Sequence, residues 1–170
     1  MSERKLPRVD LRKLLAGGVA GRREAIALVG DALRHDGAVR VEGHGATDRD
    51  GLTEVGIHLL GALAEYFGLA ANAFPAGVAS STDPGWPPGD TLLVVLAGVP
   101  AGTELRAGTG EWRPIAAHPG ELAAVPSAAL AALTAGVVPA AAARWPDGAT
   151  HAVALALPPG AALLPLAEFR

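Results

Sequence analysis

The chain has no cysteine, one tyrosine and one methionine, and aromatic residues fill only 4% of its 170 positions. Without cysteine there is no disulfide, no thiolate metal ligand and no cysteine nucleophile. With so few aromatics, a core must be built from small side chains around Leu and Val; half the residues are apolar, and Ala and Gly supply much of that half. No apolar run reaches the roughly 18 residues that a membrane span needs. The N-terminal "MSERKLPRVD" is charged and lacks the apolar stretch of a secretory signal. Together these absences lead to the expectation of a cytoplasmic protein. At this length the chain makes one domain, or one with a small appendage, large enough to bury a core.

Charge is unevenly spread. The net value is −3, yet Arg4, Lys5, Arg8, Arg12, Lys13, Arg22 and Arg23 crowd the first 23 positions, and from residue 50 onward four basic residues face ten acidic ones. A basic segment of this kind can touch nucleic acid or an acidic partner. No aromatic residues interleave with it, so a solvated helix face is the simpler reading, and no nucleic-acid or membrane partner is expected.

In "GRREAIALVGDALRHDG" (21–37), Ile26, Val29 and Leu33 recur at helical spacing and Gly37 is a good stop. "AVRVEG" alternates as a short strand, with Val39 and Val41 on one face and Arg40 and Glu42 on the other. A second helix begins at "TDRD", where Thr47 or Asp48 can cap it, and carries Leu52, Val55, Leu59, Leu63 and Phe67 on one stripe. If "RVDL" is a strand, the first helix has a strand on either side. Residues 76–90 are rich in Pro, Gly and Ser and read as a connection. Beyond it, "TLLVVLAG", "TELRAG", "EWRPIAA", "ELAAVP", "HAVALAL" and "ALLPLA" are short apolar runs parted by turns, the pattern of a sandwich or barrel. A helix over "PSAALAALTAG", closed by Gly136, interrupts them.

In order and spacing, "LPRVDLRKL", "ALRHDGAVRVEGHG" and "LLGALAEYFGLA" resemble the N-terminal part of the isopenicillin N synthase-like, iron(II)- and 2-oxoglutarate-dependent dioxygenases. His44 of "GHG" matches that family's structural turn histidine. The second half is similar to the family's double-stranded β-helix: Gly110-Glu111-Trp112 fits its hairpin, and Leu133-Thr134-Ala135-Gly136 fits its "LTNG" helix end. The resemblance implies an α+β fold. An N-terminal helical segment with short strands (1–75) is joined by the 76–90 connection to a truncated, jelly-roll-like double-stranded β-helix (91–170). It is truncated because only about a dozen residues separate "FGLA" from the metal-motif position, where the family carries helices and early strands that wall the substrate pocket.

The family's chemistry needs two imidazoles and a carboxylate around iron(II), with coordination sites left free. In the matching first position stands Ser81, followed by the surviving Asp83. The distal histidine falls near Ala143. The arginine that pairs with the 2-oxoglutarate carboxylate falls at Thr150-His151-Ala152, and the family's "GD" becomes Ser127-Ala128. Four departures together imply no iron and no 2-oxoglutarate cofactor. Of the other histidines, His35 ends the first helix and His58 flanks the second helix's apolar stripe. Asp83, His118 and His151 form the one trio worth naming as catalytic or substitute metal residues. A Ser80 or Ser81 nucleophile lacks the G-x-S-x-G elbow, and "AGGVAG" lacks the lysine and order of a phosphate loop.

Two functions stay open. One is a non-catalytic binding or accessory protein; the other is a metal-independent isomerase, cyclase or dehydratase with Asp83 as the acid–base group. The Ala-, Gly- and Pro-rich composition fits a high-GC bacterial gene, a setting where such relatives serve secondary metabolism. An incomplete barrel leaves a sheet edge open, so the expected partner is a second copy or another protein covering it, alongside a small-molecule ligand.

Overall fold

The structure is a computed structural model that describes residues 6–75, 77–79, 89–99, 101–115, 118, 120–145, 151–158 and 160–170. Strand β1 (Arg8–Asp10) runs directly into helix α1 (Leu11–Ala16), so "RVDL" divides between the two. The switch falls at Asp10, whose extended backbone and carboxylate cap the Arg12 N–H at 2.9 Å. Helix α2 (Gly18–Asp31) continues through a π-helical turn, Ala32–Asp36, and stops at Gly37 with φ 81°. The buried stripe is Ala25, Val29, Ala32 and Leu33, at ordinary helical spacing, and leaves Ile26 half-buried. Strand β2 (Val39–Glu42) follows, then α3 (Arg49–Tyr66), whose N-cap is Asp48, bonded to the Gly51 N–H at 2.8 Å.

The next strand corrects the sequence reading. Residues 76–90 were expected to be a plain connection, yet Gly77–Ala79 forms β3 and pairs with a later strand. Strands β4 (Thr91–Ala97), β5 (Glu104–Ala107), β6 (Arg113–Pro114) and β7 (Leu122–Pro126) come next, then helix α4 (Ala128–Leu133), β8 (Ala141–Arg144) and β9 (His151–Ala156). The alanine run thus supplies a strand that its composition did not announce. "ALLPLA" is no strand. Leu163 and Leu164 are exposed, and the tail turns back so that Leu166 N–H bonds Leu133 C=O at 2.9 Å and the Phe169 ring meets Phe67 edge-on at 5.0 Å.

The strands form two sheets. The larger has the order β1-β2-β7-β4-β9-β3, parallel only between β1 and β2, and the smaller has the order β6-β5-β8. A complete double-sheet roll has eight strands. Among the described residues β3 to β9 supply seven, four in the large sheet and three in the small one.

Alternation along the large sheet divides the interior. Val39, Val41, Leu93, Val95, Leu122 and Ala124 face a core shared with α2 and α3. Val94, Leu96, Ala123 and Val125 face a second core, closed by Leu105 and Ile115 beside the small sheet. Helix α3 lies close against the sheet because Gly56 has no side chain: a Cβ there would collide with Leu155 and press on Val95. Arg22 ties the helices together, donating to Leu14 C=O at 2.8 Å and to Glu65 at 2.7 Å. Much of the basic N-terminal segment is paired within the chain in the same way, Arg8 with Glu121 and Glu42, Arg12 with Asp10 and Lys13 with Glu24.

Candidate functional site

The space between the two sheets is where the sequence resemblance would put a metal and a co-substrate. Register fixes what lines it. Strand β8 pairs with β5 so that Ala143 stands opposite Leu105 and Ala141 opposite Ala107. Ala141 and Ala143 pack into the inter-sheet core beside Val94, Val125 and Trp145. Together with Ser127, these residues border a cavity of about 130 Å³. Ala143, near which the sequence resemblance puts the distal ligand, offers this space a methyl group, which cannot coordinate iron(II).

Ser127, in place of the family's "GD", is the N-cap of α4 but makes no side-chain cap bond. Its backbone N–H instead holds Leu92 C=O at 2.9 Å. The other end of α4 keeps the form implied by "LTNG". Thr134 Oγ1 donates to Leu130 C=O at 2.9 Å and accepts from Val138 N–H at 3.1 Å, and the chain turns through positive φ at Ala135 (49°) and Gly136 (79°). Gly110-Glu111-Trp112 lies in the β5–β6 hairpin, where the guanidinium groups of Arg106 and Arg144 lie over the Trp112 ring, 4.9 and 4.2 Å from its centroid.

Ser81, Asp83 and Thr150 lie outside the described residues. Of the named trio, His118 is exposed in the turn before β7, and His151 opens β9 opposite Ala97, which itself pairs with Leu122. The two are therefore separated by the full width of β4. Among the described residues no group of three or more His, Asp or Glu is placed to share a metal ion. Neither His35 nor His58 enters a cluster; both are exposed on helices. His44 fills the turn role: Nδ1 accepts the Ala46 N–H at 2.9 Å, so the proton sits on Nε2 and is donated to Gly120 C=O at 2.7 Å.

What the sequence reading missed is a buried ionic cluster on the same inner face of the large sheet. Arg40 lies, as its alternation implies, on the face of β2 opposite Val39 and Val41, and it is only 8% exposed because that face looks onto the second core. Glu121, 5% exposed, accepts from Arg40 at 3.3 Å through one oxygen and from Arg8 at 3.2 Å through the other. Arg40 Nε also donates to Leu6 C=O at 3.0 Å, and the His118 backbone N–H donates to Glu121 at 3.2 Å. Burial pushes the Glu121 carboxyl up, but the His118 N–H, the Arg8 hydrogen bond and the Arg40 charge outweigh it and hold it below the usual glutamate range. The one signal available in the sequence was the arginine inside an otherwise apolar "AVRV" strand, which needs a carboxylate partner once buried.

A larger cavity, about 280 Å³, opens on the helix side between the start of α3 and the ends of β4 and β9. Its acidic residue, Asp48, is committed to capping the helix.

Helices over one face of a mixed sheet and a small sheet over the other define the double-stranded β-helix fold of the 2OG-Fe(II) oxygenases. Three solved structures illustrate the likeness. The dioxygenase for auxin oxidation in rice superposes with a TM-score of 0.69 at 17% identity, over 97% of this chain and 87% of that one. Dioxygenase for auxin oxidation 1 from Arabidopsis thaliana, as its 2-oxoglutarate complex, gives 0.68 at 13% identity, over 98% and 100%. A 2OG-Fe(II) oxygenase family protein from Caulobacter crescentus gives 0.65 at 12% identity, over 91% and 86%. At these identities the likeness is one of fold. No family model and no curated protein matches the chain.

Proposed function

We propose that this chain is a degenerate dioxygenase-like protein that acts by binding, as an accessory protein in bacterial secondary metabolism, without iron(II) or 2-oxoglutarate. One observation carries the reading. The position that would supply the distal iron ligand, Ala143, lines an inter-sheet cavity bordered by Val94, Val125, Ala141 and Trp145, with no imidazole or carboxylate among the described lining residues. Among the described residues the donor set that iron(II) requires is therefore not met. Ser81 and Thr150, in place of a histidine and an arginine, argue the same way from the sequence. A partner protein or second copy would dock along β8, which among the described residues pairs only with β5 and carries Ala141, Ala142 and Ala143 with no edge charge before Arg144.

The test is anaerobic reconstitution with iron(II) and 2-oxoglutarate. The expected outcome is no stoichiometric iron and no succinate release; one iron per chain with succinate formation would overturn the reading. Sedimentation at micromolar concentration examines the partner: a self-associated species, or a monomer that pairs with a protein from its host, agrees with it. A stable monomer with no partner, together with activity abolished by Asp83→Asn but folding intact, would move the metal-independent enzyme ahead.

A further inference from the structure

The inter-sheet cavity has a size, a lining and one hydroxyl among its described lining residues that together select a ligand class. Its volume, about 130 Å³, is close to that of dry cavities of roughly 150 Å³ that take up a benzene molecule. Val94, Val125, Ala141 and Ala143 make its walls apolar, and the half-buried indole of Trp145 stands at its border. No charged side chain is among its described lining residues. The Ser127 side chain supplies a hydroxyl there, and that hydroxyl is left free of the capping bond an N-terminal serine ordinarily makes.

From this geometry we infer that the cavity binds an uncharged molecule the size of a single aromatic ring, seated on the alanine floor of β8 with any hydroxyl directed at Ser127 Oγ. The inference rests on the binding-protein reading above and names the ligand class for it. Apolar walls favour a ring by burying it, and the one hydroxyl favours a phenolic group over a bare hydrocarbon. A carboxylate is disfavoured, because an anion would lose its hydration with no cation among the described lining residues to replace it.

The experiment titrates the full chain with toluene, phenol and benzoate, following thermal unfolding and tryptophan emission, with Trp145→Phe used to isolate the signal of that indole. Toluene and phenol are expected to raise Tm by roughly 3–5 °C at ten times Kd and to change the Trp145 emission, while benzoate does neither. Ala143→Leu, which fills the floor, should weaken both ligands by about tenfold or more, in line with the loss of a buried ring contact. If that variant does not fold, the smaller Ala141→Val takes its place. Ser127→Ala should weaken phenol and leave toluene unchanged. No Tm shift with toluene and phenol up to their solubility, benzoate binding as well as phenol, or cavity-filling variants that bind like the wild type would each overturn the assignment. Iron uptake with succinate release in the same preparation sinks the binding-protein reading itself; no iron and no toluene sinks only this inference.

Discussion

The two faces of the large sheet hold the molecule together by different means. On the helix side Leu59, Leu60, Leu63, Leu93 and Leu155 are buried in the core shared with α2 and α3, and the packing is close enough that a Cβ at Gly56 would collide with the Leu155 side chain. On the inner side Leu6, Leu96, Leu105 and Ile115 belong to a smaller apolar cluster, a cavity remains, and the buried Arg8–Glu121–Arg40 cluster adds ionic contacts. The helix face thus retains the packing that specifies the fold, since close-packed interiors tolerate little loss of volume. The inner face, where the sequence resemblance would put a metal and a co-substrate, is lined in part by Ala141 and Ala143 and carries buried polar groups in the Arg8–Glu121–Arg40 cluster.

This contrast can be tested by substitution. Glu121→Ala removes the carboxylate that touches both arginines and leaves Arg40 buried without it; we expect a loss of about 3–5 kcal/mol in urea denaturation. A loss below roughly 1 kcal/mol would mean that water reaches Arg40 and that the cluster is not structural. Glu121 also sets a pH dependence. Its folded pKa lies below the unfolded one, so the stabilisation is fully present above the ordinary glutamate pKa of about 4.3 and is lost as pH falls through the folded value. Asp10, held low by its hydrogen bond from the Arg12 side chain, adds to the slope with the same sign. Stability measured from pH 6 to pH 3 should fall less steeply in Glu121→Gln than in the wild type; equal slopes would place the titration elsewhere.

On the helix face Leu63→Ala should cost about 3–4 kcal/mol, because α3 is pinned to the sheet and the site cannot collapse. The corresponding inner-face change, Val94→Ala, borders space that is already empty and should cost about 1–2 kcal/mol. Equal costs for the two would break the comparison. Overpacking should show the same asymmetry: Gly56→Val drives a side chain into Leu155 and should cost about 2–3 kcal/mol, whereas Ala143→Leu grows into the cavity and should stay within about 1 kcal/mol of the wild type.

The smallest expected effects concern caps. Asp48→Ala removes the bond to Gly51 N–H and should cost about 1 kcal/mol of thermal stability. Ala135 occupies a left-handed conformation that asparagine tolerates better, so Ala135→Asn, which completes the "LTNG" pattern that the sequence resembles, should gain about 0.5–1 kcal/mol. A loss on that substitution would mean that the asparagine side chain clashes with its surroundings in the turn.

Periodicity and punctuation alone determined the local elements: α3 with its Asp48 cap, the stop at Gly37, the alternation of β2, and the strands over "TLLVVLAG" and "HAVALAL". These features depend on residues within a few positions of one another, so a linear reading reaches them. The ordered motifs also carried the resemblance to the oxygenase fold, because turn residues and cap residues recur at fixed spacings. Tertiary structure decided the rest. That Ala141–Arg144 is a strand depends on the partner β5 supplies, since alanine has little strand preference of its own. That "ALLPLA" is not a strand reflects the tail's docking on Leu133 and Phe67. Arg40 is buried, and meets a glutamate 81 positions away, only because β2 lies beside β7 and a second layer covers that face. The inter-sheet cavity is likewise a product of register: alternation fixes which residues share a face, but only the pairing of β8 with β5 brings Ala143 and Ala141 to that space.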